Sequence, residues 1–549
     1  MERARREGVI LVLAILFSIE IRLGVACVPP PSIECSGRSG CHIFNYQGIW
    51  DDLGSCEAGT ALFPTSESQL VHAVASAVKM GKKMRVVSRF SHSLAKLACV
   101  DKEGVIISTG DYDSKIEVNK KEMTITVAAG VMMRDVIDAA AKQGLALPAM
   151  TYWDGVSAAG VLSTGAHGSG LLGKGSAVHE HVKALTIVIP TTAARGYARI
   201  IRLSKSHKYF NAARLSLGVL GAISEITFGL EHMFKRSVSL SLEDDVGMEE
   251  KIVDFVKKHE FGDVWWYPAH RKVIWGEIRR VSADENGDGI NKMQQLGQPT
   301  SVADSDDTAT ILSRIESRED TETVCNLTEA IMSARVSTGA GFMNSESGGF
   351  SNYPVIGWNN RMQATGGCQD YSHKREPNPI SCTPLHIYDK NESICSWDRR
   401  ANGVRGFDVE IYVPLVNMKE AILDIKKIRD VNPQALCELE FLEGMSMRSV
   451  KKSEAYLGHS EDVITFELEY LRSEEWDTPK WNMDVYEEIE QMLVEKHRGT
   501  LHWGKSGGFL FGGVANRTVD LERFVRAKKE MDPNAVFSND WTDGVLGIG

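Results

Sequence analysis

Val156-Ser-Ala-Ala-Gly-Val-Leu-Ser-Thr-Gly-Ala-His-Gly-Ser-Gly170 is the stretch on which the reading of this chain turns. From Trp153 to Gly173 the sequence is dense in Gly, Ser and Ala and lacks sustained periodicity, so it reads as a loop-rich ligand cradle and not as a core element. Small residues leave backbone N–H groups unhindered, which is what a loop needs to approach a phosphate closely. Arg85-Val-Val-Ser-Arg-Phe-Ser-His-Ser-Leu94, upstream, has the same character: a strand running into a loop with His92 between two serines. Together they imply a dinucleotide cofactor. No Gly-x-Gly-x-x-Gly follows a strand and opens a helix, so the site is not of the Rossmann kind.

Around these segments the pattern alternates between helix and strand. Ser66 and Gln69 make a capping box ahead of Leu70, Val71, Val74 and Val78, and Gly81 ends that helix. Strands are expected at Met84 to Val87, Val105 to Ser108, Met123 to Ala128, Ala184 to Ile189 and Ala222 to Phe228, with a short helix from Arg134 to Lys142. The run from Ser282 to Asp320 is an acidic excursion. Within it Asp284, Asn286, Asp288 and Gly289 imitate a calcium loop, but Gln295 stands where a bidentate Glu is required. No metal is expected.

The chain has 549 residues and a net charge of −11, enough length for two domains and no basic footprint for nucleic acid. Arg3, Arg5 and Arg6 precede an apolar run, Val9 to Ile19, and Gly24-Val25-Ala26 then offers cleavage context, the arrangement of a signal peptide over residues 1–26. No later run is long enough to span a bilayer. Ten cysteines, four of them at Cys27, Cys35, Cys41 and Cys56, suggest disulfides in a secreted chain, with the pairing open. Asn326, Asn391 and Asn516 head three glycosylation sequons.

A third segment, His502-Trp-Gly-Lys505, lies near the C-terminus. With Leu217-Gly-Val-Leu-Gly-Ala-Ile223, these segments stand in the order found in the vanillyl-alcohol-oxidase superfamily, and the chain resembles its aldonolactone oxidases, above all the plant L-gulonolactone oxidases. The resemblance implies an α+β fold of two domains: an FAD-binding domain at 59–235, behind a cysteine-rich segment at 27–58, and a substrate-carrying cap of antiparallel sheet with flanking helices at 236–549, whose C-terminal segment returns to the flavin. It places FAD against Arg89, Phe90, Ser91, His92 and Ser93, then Gly160, Ser163, Gly165, Ala166, His167, Gly168 and Ser169, and finally Gly221 and Ile223. His92 matches the position at which many members bond covalently to the flavin, and the reading leaves that bond open. His502, Lys505 and one carboxylate of Cys437-Glu-Leu-Glu-Phe441, Glu440, are the implied catalytic groups, although members carry an arginine two residues after the carboxylate and this chain has none before Arg448. The implied reaction oxidises an aldono-1,4-lactone such as L-gulono-1,4-lactone at C2, with dioxygen as oxidant and ascorbate as product. A dehydrogenase with another acceptor, a berberine-bridge-type carbohydrate oxidase and a non-catalytic binding module are the alternatives.

Overall fold

Three sheets carry the architecture. The computed structural model describes residues 33–36, 40–44, 55–88, 94–151, 156–284, 321–337, 353–356, 405–440, 444–472, 482–505 and 511–548. All of these fall within one compact unit, Pro31–Cys368 with Lys390–Gly549.

The first sheet is parallel, in the order Thr60–Leu62, Val105–Ser108, Met84–Val87. Its strands are short and almost wholly apolar, as parallel strands covered on both faces must be. Glu67–Lys79 is the helix the spacing predicts, burying Leu70, Ala73, Val74 and Ala77. Its N-terminus differs in one detail from a capping box. Ser66 accepts from the Gln69 N–H, but Gln69 Oε1 accepts from the N–H of Thr65, one residue earlier than a reciprocal cap requires. Gly81 follows with φ +66°, so the left-handed turn that stops the helix uses glycine.

The second sheet is antiparallel, ordered Ala198–Ser204, Val182–Pro190, Ala222–Gly229, Thr124–Ala128, Ile116–Asn119. Each expected strand here is present within two residues. The stretch read as loop from Trp153 to Gly173 is not all loop, however: Ala158–Ser163 is a helix, capped by Ser157 Oγ accepting from Gly160 N–H, with Ala158, Val161 and Leu162 fully buried. Six residues with a glycine among them are too few to print a helical period on the sequence.

The third sheet has eight antiparallel strands, among them Lys235–Asp244, Lys272–Val281, Asp263–Tyr267, Met445–Val450, Val463–Arg472 and Arg405–Pro414, with Thr500–Leu501 at one edge. Trp265, Trp266 and Tyr267 are core residues of its Asp263–Tyr267 strand. The helices Met248–Lys258 and Met418–Val431 pack on each other and flank it.

Three disulfides join described cysteines: Cys35 with Cys41, Cys56 with Cys99, and Cys325 with Cys437. The last closes a separation of 112 residues and ties the helix Thr321–Ser337 to the segment before Glu440. Cys27, Cys368, Cys382 and Cys395, residues 1–26 that the sequence reads as a signal peptide, and the calcium-like positions beyond Asp284 lie outside the described residues. Among the described residues no helix is long and apolar enough to cross a membrane.

Candidate active site

Alternation along two neighbouring strands creates the site. Asp408, Glu410 and Tyr412 point to one face of Arg405–Pro414, and Thr465, Glu467 and Glu469 stand opposite them on Val463–Arg472, with Glu410 paired to Glu467 and Asp408 to Glu469. Like charges directly opposite each other destabilise a sheet unless cations intervene. Two do. Arg448 Nη2 lies 2.9 Å from Glu410 Oε1 and 2.8 Å from Glu467 Oε2. Lys505 Nζ lies 2.8 Å from Asp408 Oδ2 and 3.0 Å from Glu410 Oε2, and it also pairs with Glu467 Oε1. The next layer is aromatic: His167 Nε2 is 3.1 Å from Glu410 Oε1, and the His167 ring contacts those of Tyr412 and His502.

All of these side chains are buried except Glu469 and Lys505, which are partly so, and Coulomb terms therefore weigh heavily. Burial pushes the Glu410 carboxyl up, yet Arg448, Lys505 and His167 outweigh it and hold the group well below its usual value. Asp408 goes the other way: burial dominates, with Glu467 and Glu410 adding to it, and its affinity for a proton is raised well above normal. Lys505 is pulled down by burial but held above the ordinary lysine value by Asp408, Glu410 and Glu467. Burial keeps His502 neutral, well below its usual value. Its Nδ1 accepts from the Gly504 N–H at 3.0 Å, so in the neutral ring the proton sits on Nε2. His502 is therefore a hydrogen-bond donor in this arrangement.

The cradle meets this cluster. Gly165 has φ +77°, and a Cβ there would lie 3.2 Å from Leu215 and 3.9 Å from the Trp503 indole. A Cβ on Gly504 would come within 2.8 Å of Thr164 Cβ. The C-terminal His-Trp-Gly-Lys thus lies directly on the end of the Ala158–Ser163 helix. Trp503 is buried and anchored by Nε1–H donating to the Leu457 carbonyl at 2.9 Å. Ala159, Gly160, Ser163, Gly165 and Ala166 remain half-open on this surface, and all are small. A flat cofactor fits against such a face, where any larger side chain would fill it.

The other expected cofactor contacts fall into three groups. Arg89, Phe90, Ser91, His92 and Ser93 lie outside the described residues. Gly168 and Ser169 spend their polar groups on the protein: Gly168 N–H donates to Ser176 O at 3.0 Å, and Ser169 Oγ donates to Gly262 O and accepts from Ser449 N–H. Ser169 thereby joins the cradle to the Met445–Val450 strand instead of presenting its hydroxyl to a ligand. Gly221 has φ +148°, and a Cβ there would collide with the Val188 carbonyl at 2.6 Å, while Ile223 puts its side chain into the core. Both residues are buried, so neither presents a side chain to a ligand. Arg85 fixes the turn from below, donating to the carbonyls of Leu217, Leu97 and Phe537.

Glu440 is not brought into the cluster. Its carboxylate accepts from the Ala269 N–H and lies 2.7 Å from His270 Nδ1, and neither residue belongs to the cluster. Arg448, which the sequence shows only as an arginine in the wrong place, is the guanidinium at the site, and its carboxylates come from neighbouring strands. The signal for Glu410, Asp408 and Glu467 was present in Asp408-Val-Glu410-Ile-Tyr412 and Thr465-Phe-Glu467-Leu-Glu469, but alternating acidic residues read as a solvent-facing strand. His167, Glu410 and His502 also place three ligand-type atoms within 4.8 Å of one another. Arg448 and Lys505 already neutralise that carboxylate, which weakens the trio's attraction for a metal cation.

Comparison with known proteins agrees with this geometry. The profile of an FAD binding domain matches residues 59–193, and that of D-arabinono-1,4-lactone oxidase matches residues 399–545, which include the acidic strands, Arg448 and Lys505. L-gulonolactone oxidase 5 of Arabidopsis thaliana is 38% identical over 95% of this chain and 87% of its own length. Probable L-gulonolactone oxidase 6 of the same plant is 37% identical over 95% and 85%. Among solved structures, a solvent-stable cholesterol oxidase superposes with a TM-score of 0.64 over 92% of this chain and 97% of that one, at 15% identity, a likeness of fold. The cofactor is FAD, and the chain belongs to the L-gulonolactone oxidase family of flavoproteins.

Proposed function

We propose that this protein oxidises L-gulono-1,4-lactone, or a close aldonolactone, at C2 and passes the electrons to dioxygen, giving the 2-keto lactone that enolises to ascorbate. The observation that carries this reading is the buried junction of Lys505, Arg448 and Glu410 against the small-residue cradle. In this reading residues 59–235 hold the cofactor and 236–549 carry the substrate. Bound FAD supplies the hydride acceptor. Lys505 and Arg448 provide the positive charge that negative charge developing in the reaction requires. His502, with its proton on Nε2, donates to a substrate oxygen. Asp408, whose proton affinity burial raises and which lies against Lys505, takes the hydroxyl proton, while Glu410 stays ionised against His167, Arg448 and Lys505 and holds them in place. Glu440 serves the cap and not the chemistry.

The secretory reading belongs here too: the arginine-led apolar N-terminus and the paired cysteines support a glycosylated protein of the secretory pathway. Its test is N-terminal sequencing of the mature protein, which should begin near Cys27; an intact Met1 refutes it.

Replacing Lys505 with Met tests the mechanism. The variant keeps the length of the side chain and loses its charge, and loss of one preorganised electrostatic contact costs roughly 10²–10³ in turnover. FAD content should stay at the wild-type level while lactone-driven flavin reduction slows. A variant reduced at the wild-type rate removes Lys505 from the mechanism.

A further inference from the structure

A cavity of ≈ 320 Å³ opens where the segment after the cradle meets the start of Val182–Pro190, the end of Ala222–Gly229 and the Phe261 and Arg280 side chains. It lies away from the turn expected to meet adenine. Val182 pairs with Phe228 at the cavity end of the ladder and Val188 pairs with Ala222 at the Gly221 end. Six residues of strand separate them, about 20 Å at the usual rise per residue.

Three cations, Lys174, Lys183 and Arg280, line the cavity against two carboxylates, Glu231 and Glu260. Arg280 is committed to Glu260 at 2.8 Å and Glu231 at 3.2 Å, and stacks on Phe234. Lys174 and Lys183 have no ion-pair partner among the described residues, although the chain as a whole carries a charge of −11. Local geometry fixes the backbone at Lys174 and the stem of Lys183. The Lys174 turn is fixed by glycines on both sides, Gly173 at φ +57° and Gly175 at φ +79°, by Lys451 Nζ donating to Gly173 O, and by His181 Nε2 lying 2.9 Å from Gly175 O. Lys183 lies across Gly229, where a Cβ would come within 2.7 Å of Lys183 Cε. Partial burial, and then the charges of Lys183, Lys205 and Arg214, hold the Lys174 ammonium below its usual value. Two like charges brought together in a concave site are relieved by an anion between them.

We propose that this cavity binds a small, multiply charged oxyanion, a phosphate or an organic dicarboxylate, held by the ammonium groups of Lys174 and Lys183 with the backbone of Gly173 to Gly175 as its floor. The site is separate from the oxidation chemistry and does not depend on the lactone assignment. It nonetheless shares a wall with the active site: Ser169 and Ser176 both line it and both hydrogen-bond to the backbone of Ser449, the neighbour of Arg448.

Calorimetric titration of the FAD-loaded protein with inorganic phosphate and, separately, with succinate decides the matter, with potassium chloride at matched ionic strength as the control for screening. Saturable binding of at least one anion, weakened tenfold or more in K174A/K183A, is the expected result. Both lysines are exposed, so the variant should fold, and its turnover in anion-free buffer should equal that of the wild type. If phosphate alone binds, the occupant is an inorganic or phosphoryl anion; if succinate binds as well, the site accepts carboxylates. Heats no larger than those with chloride, or binding that the double variant retains, overturn the proposal.

Discussion

Glu410 and Glu440 are both wholly buried and both touch a histidine, yet burial has opposite outcomes for them. Glu410 has Arg448 and Lys505 within 3.0 Å and is held well below the ordinary glutamate value. Glu440 has His270 and one backbone N–H, and burial pushes it up to about 6. Desolvation is common to both, so permanent cations decide the sign. The first carboxylate belongs to a reaction centre built to carry charge. The second belongs to a hydrogen-bonded joint in the cap, beside the Cys325–Cys437 disulfide, where His270 Nε2 lies 3.0 Å from the Cys325 carbonyl.

Breaking the cationic side should have the largest effect. Arg448→Met leaves Glu410 and Glu467 facing Lys505 alone, and removing one member of a buried ion network typically costs about 3–5 kcal/mol. Thermal or denaturant unfolding of the FAD-free protein measures this directly. A loss under about 1 kcal/mol would mean that water already screens the cluster.

The pH dependence sharpens the contrast. Glu440 has a folded value of about 6, raised above the ordinary 4.5, so its contribution to stability is present below about pH 4.5 and is lost as pH rises through about 6. His270 is also raised: burial lowers it, but Glu440 outweighs that, and its contribution likewise disappears as pH rises above 6.5. Glu410 is lowered, so its contribution is present above pH 4.5 and is lost in acid. The shift of Glu440 corresponds to roughly 2 kcal/mol. Denaturant midpoints of Glu440→Gln measured from pH 4 to 8 should vary less than those of the wild type, at unchanged turnover. A parallel pH profile would show that the joint does not titrate there.

The smallest expected effect comes from the contact between the C-terminal strap, His502 to Lys505, and the cradle. Gly504→Ala forces a Cβ to within 2.8 Å of Thr164 Cβ, and overpacking of this kind costs about 1–3 kcal/mol. Looser FAD binding with little change in the fold is the expected result, measured by flavin release on dilution. Unchanged retention would mean that the strap closes without help from this contact.

These comparisons also show which features a sequence reveals. The cradle was legible because backbone access demands small residues, and glycine density is visible in any chain. The strands around it were legible because they are apolar and short. The reaction centre was only half legible. His502 and Lys505 stood out through family resemblance, whereas Asp408, Glu410 and Glu467 wear the alternating pattern of a wet strand and are dry only because Arg448 and Lys505 arrive from distant segments. No local pattern encodes that meeting. Glu440 drew attention for the converse reason, a carboxylate in the expected segment, but its position beside Ala269 and His270 is a tertiary fact.

The central claim is that the cradle, the acidic strands and the C-terminal strap form one site that oxidises a lactone through FAD. Anaerobic titration of the purified protein with L-gulono-1,4-lactone, followed by readmission of air, tests it most directly. The account predicts that the flavin absorbance bleaches with the lactone and returns with oxygen. A flavin that stays oxidised in the presence of excess L-gulono-1,4-lactone and related aldonolactones would contradict it.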